Sequence, residues 1–219
     1  MNIFVDLDGT LIDARWRLYQ LFCDASGRTG LSFSRYWQLK RDARTNEWIL
    51  TRLLGSDHRS VSNFTDKWFR LVETRKYLAL DRPFHFAKSV LRDLSRNNQI
   101  TIITARRNEY AARQQIYRMG FDPFVADVLA TGATDSKAGR LSQSKISIGL
   151  GDFVVGDTEA DIQLASSLGV RSASVLSGVR SRRCLASYRP DFIFPDLRAF
   201  RDRVVQGYWC EEADPPPSR

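Results

Sequence analysis

Hydrophobic and polar positions along the chain change their period at two points. The run from Asn2 to Val5 is apolar and is stopped by Asp6-Leu7-Asp8-Gly9-Thr10, which predicts a short buried strand feeding a turn. From about Ala14 to Tyr77 apolar residues recur three and four apart: Leu18, Leu21 and Phe22; Trp48, Leu50, Leu53 and Leu54; Phe64, Trp68, Leu71 and Val72. That spacing is the stripe of amphipathic helices, and Gly27, Gly30 and Gly55 punctuate it. Beyond Pro83 short apolar runs alternate with helical stretches. Helices are predicted at 84–96, 109–119, 160–168 and 197–205, with another before 153, and strands at 100–104, 125–130, 153–155, 171–175 and 192–194.

Apolar strands alternating with helices predict an α/β fold, a Rossmann-like parallel sheet covered on both faces. The helical stretch after the first strand is too long for a βα loop and is expected to be an inserted all-α domain. The expected division is a core of residues 1–13 and 83–205, a helical insert at 14–82, and a frayed tail at 206–219. The tail carries Glu211, Glu212 and Asp214 and then three prolines, which continue neither helix nor ladder.

Composition narrows the function classes. A hydrophobic fraction of 43% and a charged fraction of 26% are those of a globular protein, which excludes wholesale disorder. Cys23, Cys184 and Cys210 lie far apart with no CxxC pair, which argues against a disulfide framework or a cysteine zinc site. No apolar run approaches the roughly 18 residues of a membrane span, and no basic leader opens the chain, so a cytoplasmic protein is expected. The net charge of +8 favours anionic partners. It is concentrated in the insert, where fourteen Lys and Arg face seven Asp and Glu beside four tryptophans, Trp16, Trp37, Trp48 and Trp68.

Candidate chemistry gathers where a parallel sheet puts it, at the carboxyl ends of strands. Asp6 and Asp8 crowd two carboxylates at the first strand's exit, which is costly unless a cation or a shared proton relieves them. Gly9 lets the backbone turn its N–H toward an anion. Thr104 ends the second strand before Ala105 and Arg106, and is suited either to a phosphate oxygen or to a helix cap. Gly156-Asp157-Thr158-Glu159-Ala160-Asp161 ends another strand with more acid than one cap needs, as a hard divalent cation would explain.

In this order the three segments resemble the haloacid dehalogenase-like (HAD) hydrolase superfamily, with a helical insert where that family carries its cap, as in phosphoglycolate-phosphatase-like members. Asp6-Leu7-Asp8-Gly9-Thr10 looks like the first motif, Thr104 the second and Gly156–Asp161 the fourth. The resemblance implies a Mg²⁺-dependent phosphatase acting through an aspartyl-phosphate. Asp6 would be the nucleophile and Asp8 the general acid and then base. Mg²⁺ would lie between Asp6, the Asp8 carbonyl and Asp157. Asp161 would order a metal-bound water or brace the loop. Gly9, Thr104, Ala105 and Arg106 would meet the phosphate or substrate. Family members that cleave carbon–halogen bonds generally lack the second aspartate, so Asp8 favours phosphate chemistry.

A lysine is expected to neutralise the phosphoryl group, and both Lys137 and Lys145 precede the fourth motif. The chain must descend roughly 15 Å along the sheet and return, at about 3.3 Å per strand residue. A helix needs about ten residues for that, at 1.5 Å each. Lys137 leaves room and Lys145 does not, which favours Lys137 as the catalytic lysine.

A basic, aromatic-rich insert suggests a phosphorylated small molecule, with a nucleic-acid terminus less favoured and no membrane partner. Arg15, Arg17, Arg35, Tyr36, Lys40, Arg41, Arg44, Arg106 and Arg107 are the candidates for touching it. A solvated helix face and a tryptophan core are the plainer expectation for most of them. The run 177–183 could reach the site rim, but a solvated loop is the expectation; His58 and His85 are expected to be incidental. A phosphotransferase of the same fold, or a non-catalytic anion- or nucleic-acid-binding protein using the basic insert, are the alternatives; oligomeric state is open.

Overall fold

The computed structural model describes residues 1–27, 30–132 and 136–207. Cys210 and the acidic, proline-rich tail lie outside the described residues. Strand β1 (Asn2–Val5) forms because Ile3, Phe4 and Val5 are all apolar and buried. Loop 6–11 then folds back on itself: the Leu11 and Ile12 N–H groups both donate to the Leu7 carbonyl, and that of Gly9 to the Ile12 carbonyl. Strand β2 (Ile12–Asp13) leads into α1 (Arg15–Ser26), α2 (Phe33–Arg41), α3 (Asn46–Trp48), a wider π turn at Ile49–Leu53, α4 (His58–Leu71) and α5 (Arg75–Leu78). Strand β3 (Arg82–Pro83) returns antiparallel to β2, with Ile12 opposite Pro83 and Asp13 opposite Arg82. Both crossings into the helical block therefore pass through one two-stranded ribbon.

The rest of the chain is α6 (Ala87–Ser95), β4 (Gln99–Thr104), α7 (Glu109–Arg118), a 3-10 turn at Asp122–Phe124, β5 (Asp127–Ala130), α8 (Lys137–Ser142), β6 (Phe153–Gly156), α9 (Glu159–Leu168), β7 (Arg171–Val175), α10 (Arg182–Ala186), β8 (Phe192–Phe194) and α11 (Leu197–Gln206). The sheet is parallel in the order β5-β4-β1-β6-β7-β8. The chain leaves β1 toward one edge, then crosses to β6 and the other. The strand order thus reverses at β1, which puts the switch point where ligands bind in open α/β sheets beside Asp6.

Strand alternation sorts the side chains onto two faces. Ile3, Val5, Ile102 and Val155 pack with Val90, Leu91 and Leu94 of α6 and Phe200 of α11. Phe4, Ile103, Leu129 and Val154 pack with Leu141 of α8 and Leu164 and Ala165 of α9. The helical block has its own core of Phe22, Tyr36, Leu39, Ile49, Leu50 and Phe64, with Trp37, Trp48 and Trp68 partly buried against it. Trp16 alone of the block's four tryptophans is exposed.

Four local expectations are corrected. The helix expected from 84 begins at Ala87, because Arg82 and Pro83 form the ribbon and the Phe84 N–H is spent on the Leu11 carbonyl. The strand expected from 125 begins at Asp127, since the 3-10 turn draws the Val125 N–H to the Asp122 carbonyl. The helix before β6 is only Lys137–Ser142. The return segment is instead tied by Asp152, whose carboxylate accepts the Asn2 N–H at 2.6 Å and that of Gly149 at 2.9 Å. The run 177–183 is not a solvated loop, as the site shows.

Candidate active site

Asp6 sits where β1 ends, its N–H held by the Val155 carbonyl at 2.8 Å. The Lys137 ammonium, at the start of α8, lies 2.5 Å from Asp6 Oδ1 and 2.6 Å from Asp161 Oδ1. Lys145 is exposed and reaches neither. The short α8 still delivers Lys137, because Ser136 caps it by accepting the Gly139 N–H at 3.0 Å. Asp161 is fully engaged: its other oxygen accepts from the Thr158 N–H and hydroxyl in the capping box that opens α9.

Asp6, Asp157 and Asp161 are buried, with one oxygen of each within 4.8 Å of the others. Burial raises the Asp6 carboxyl to about 7, with Lys137 opposing and Asp161 and Asp8 adding to the rise. Burial, and then the charges of Asp6 and Asp161, push Asp157 well above the usual carboxylate range. For Lys137 burial acts downward, but Asp161 and Asp6 outweigh it and hold the ammonium firmly charged. One lysine thus faces three buried carboxylates.

The set fits a hard divalent cation. Asp157 Oδ2 accepts the Val179 N–H at 2.5 Å, while Asp157 Oδ1 is buried without a hydrogen-bond partner. An orphaned carboxylate oxygen is expensive unless a ligand fills it. Backbone closes around Asp157 because side chains are missing there. Gly9 has φ +91°, and a Cβ on it, or on Gly178, would overlap the Asp157 carboxylate.

Asp8 is held differently. Arg17 of α1 lies 2.7 Å from Asp8 Oδ1, and Arg106 meets both oxygens, at 2.6 Å and 2.9 Å. Behind them the buried Asp81 pairs with Arg17 at 2.9 Å and Arg106 at 3.2 Å, and Gln115 binds Arg106 and Asp81. Burial alone raises the Asp8 carboxyl, but Arg106 and then Arg17 outweigh it and hold it well below the usual range. Arg17 and Arg106, expected to touch substrate, are therefore taken up by Asp8 and Asp81, with only 2% and 4% of their surface exposed.

Asp6, Asp8, Arg106, Lys137 and Asp157 line the floor of a cavity of about 390 Å³ roofed by the helical block. Gly9, Thr104 and Ala105 line it, as do Arg15, Tyr36, Lys40 and Arg107. Arg35, Arg41 and Arg44 do not; Arg44 stacks on Trp48 instead. From the run 177–183, Ser177 donates to the Gly9 carbonyl at 2.8 Å and Arg180 pairs with Glu159 at 2.6 Å, so this segment reaches the site rim. Arg180 also donates to the Lys40 carbonyl at 3.0 Å, which seats α2 on the core. On the opposite rim Glu73 accepts the N–H groups of Arg107 and Asn108. Neither His58 nor His85 lines the cavity.

Residues 151–200, the segment from β6 to α11, match the HAD-hydrolase-like family profile. No curated protein sequence matches the chain. Solved structures resemble it over nearly its whole length. A predicted phosphatase from Clostridium acetobutylicum is 13% identical with a TM-score of 0.75, covering 94% of this chain and 98% of its own. A haloacid dehalogenase-like family hydrolase from Streptococcus pneumoniae is 17% identical with a TM-score of 0.75, covering 93% and 97%. A Bacillus subtilis protein assigned to the HAD hydrolases, solved bound to magnesium, is 14% identical with a TM-score of 0.60, covering 93% and 97%. The resemblance carried by the sequence motifs is thus met in the fold and in the match over the fourth-motif segment.

Proposed function

We propose that this chain, with the fold of the HAD-like hydrolases, is a Mg²⁺-dependent phosphatase of small phosphate monoesters, with residues 14–82 acting as a cap over a core of 1–13 and 83–205. One observation carries the reading: Asp6 lies at the floor of a capped cavity, ion-paired to a buried lysine and beside an orphaned oxygen of Asp157. A binding module has no need of that arrangement.

Asp6 is the nucleophile. Its carboxylate attacks phosphorus, the P–O bond to the leaving group breaks, and an aspartyl-phosphate forms. Lys137 holds Asp6 in place and offsets charge on the phosphoryl group. Thr104, with backbone N–H groups near Gly9 and Ala105, receives the phosphoryl oxygens. A divalent cation would be held by Asp6, Asp157 and the Asp8 carbonyl, and would supply charge stabilisation to the transferring group. With both guanidinium groups on it Asp8 is ionised, so it is ready to take a proton from the water that cleaves the acyl phosphate. Protonating the leaving group in the first half-reaction requires this clamp to loosen. Arg17 belongs to the cap and Arg106 to the core, so movement of the cap is the natural way to loosen it.

The test is phosphate release from an aryl phosphate with and without Mg²⁺. Asp6→Asn is expected to cut the rate by at least about a thousandfold, as loss of a nucleophile does. An Asp6→Asn protein as active as the parent removes this mechanism.

A further inference from the structure

Seven lysines and arginines line the cavity, and five are neutralised within the protein. Arg15 pairs with Asp13, Arg17 and Arg106 with Asp8 and Asp81, Lys137 with Asp6 and Asp161, and Arg180 with Glu159. Among the described residues, Arg107 and Lys40 line it without a carboxylate partner. Arg107 is exposed and lies over the Phe69 ring at 4.0 Å. Lys40 is different, being half-buried.

An ammonium has three donors. Lys40 uses one, weakly, on Asn46 Oδ1 at 3.4 Å, and that oxygen is shared with the Tyr36 hydroxyl at 3.1 Å. Its position in the last turn of α2 suits a cation, through the helix dipole. That field does not fill the remaining donors. Burial, and then the neighbouring Arg180, push Lys40 down to about 8, with Glu159 pulling the other way. This half-buried cation has no carboxylate within ion-pair distance among the described residues, and it lines a binding cavity rather than the core. Tyr36 and Trp37, four and three residues earlier on the same helix, line the same wall.

We propose that Lys40 is the specificity residue of the cap, selecting phosphate monoesters whose leaving group carries a second anionic group, a carboxylate or another phosphate. The inference rests on the phosphatase reading above. The scissile phosphoryl lies at Asp6, the body of the leaving group packs along Trp37, and its far anion supplies the counter-charge that Lys40 lacks. A cavity of about 390 Å³ is near the small end of ligand pockets, which suits a small two-ended molecule rather than a polymer.

The experiment uses the full chain and three series of alkyl phosphates of matched, increasing length, ending in carboxylate, in phosphate or in hydroxyl. The quantity read is the ratio of kcat/KM for the anionic ester over the hydroxyl ester, which does not depend on the fraction of protein folded. The parent protein is expected to favour one anionic series by about 10–100-fold at its best length, the span of a hydrogen bond to a charged group. Lys40→Met should collapse the ratio to near one, mainly through KM, and Lys40→Arg should keep most of it. The series that responds tells carboxylate from phosphate. A parent ratio near one at every length, or a preference that survives Lys40→Met, overturns the proposal. Calorimetric titration of the same esters into the Asp6→Asn protein separates the two readings. Charge-selective binding that disappears in the Lys40→Met, Asp6→Asn double variant upholds the role of Lys40 even if the parent hydrolyses nothing. Hydrolysis without charge selectivity upholds the phosphatase alone.

Discussion

Single residues in this site act mainly through what they neutralise. Lys40 keeps its proton below its folded pKa of about 8 and loses it above. The groups facing it are Arg180, which favours the neutral amine, and Glu159, which favours the charged one. Selectivity for anionic leaving groups is therefore expected to be full near neutrality and to fall as pH rises through about 8, read as the kcat/KM ratio across pH. Asp157 depends instead on neighbours with no side chain. A methyl group at Gly178 would occupy the space of its carboxylate, so Gly178→Ala is expected to cost about 1–3 kcal/mol, the range for overpacking a filled site, and to weaken the response to Mg²⁺. Urea unfolding with and without the ion checks both.

The helical block and the sheet domain meet at the β2–β3 ribbon and at one buried polar knot of Asp8, Asp81, Arg17 and Arg106, where sequence legibility divides. The strand-end motifs were readable because each sits in one short stretch: Asp6 and Asp8 after β1, Thr104 after β4, Asp157 after β6. Lys137 was readable through chain-length arithmetic, although the chain returns after a helix of six residues rather than about ten. The knot was not. Asp8 and Arg106 are 98 positions apart, and Asp81 lies in the return from the insert. No local pattern distinguishes an arginine that will find a buried carboxylate from one that waits for substrate. For the Ser177–Arg180 segment a reach to the rim is legible but its partners are not, since Gly9, Asp157 and Glu159 come from distant parts of the chain. The knot predicts a large energetic effect. Asp81→Asn leaves Arg17 and Arg106 sharing Asp8 alone, and is expected to destabilise the protein by about 3–5 kcal/mol, as breaking a buried ion pair does. An unchanged urea midpoint would remove this account of the cap–core junction.

On the scale of the whole molecule, the buried acids make folding and cation binding one equilibrium. Because Asp6 and Asp157 are raised by burial and by neighbouring carboxylates, Asp161 among them, Mg²⁺ is expected to stabilise the native state by about 2.7 kcal/mol at a hundred times its Kd. Thermal unfolding should show the rise in Tm, and Asp157→Ala should abolish it. No helix among the described residues is long and apolar enough to cross a membrane. The excess of positive charge is carried by residues 14–82, while the rest of the chain is close to neutral. That division acquires a further meaning from the β2–β3 ribbon. Asp13 and Arg82 face each other across it, so the two ends of the inserted segment are already neighbours. A short turn could join them, and another helical block could be spliced in at the same place without disturbing any strand of the sheet. The ribbon thus makes the helical block a replaceable module, set over strand-end carboxylates that stay with the sheet.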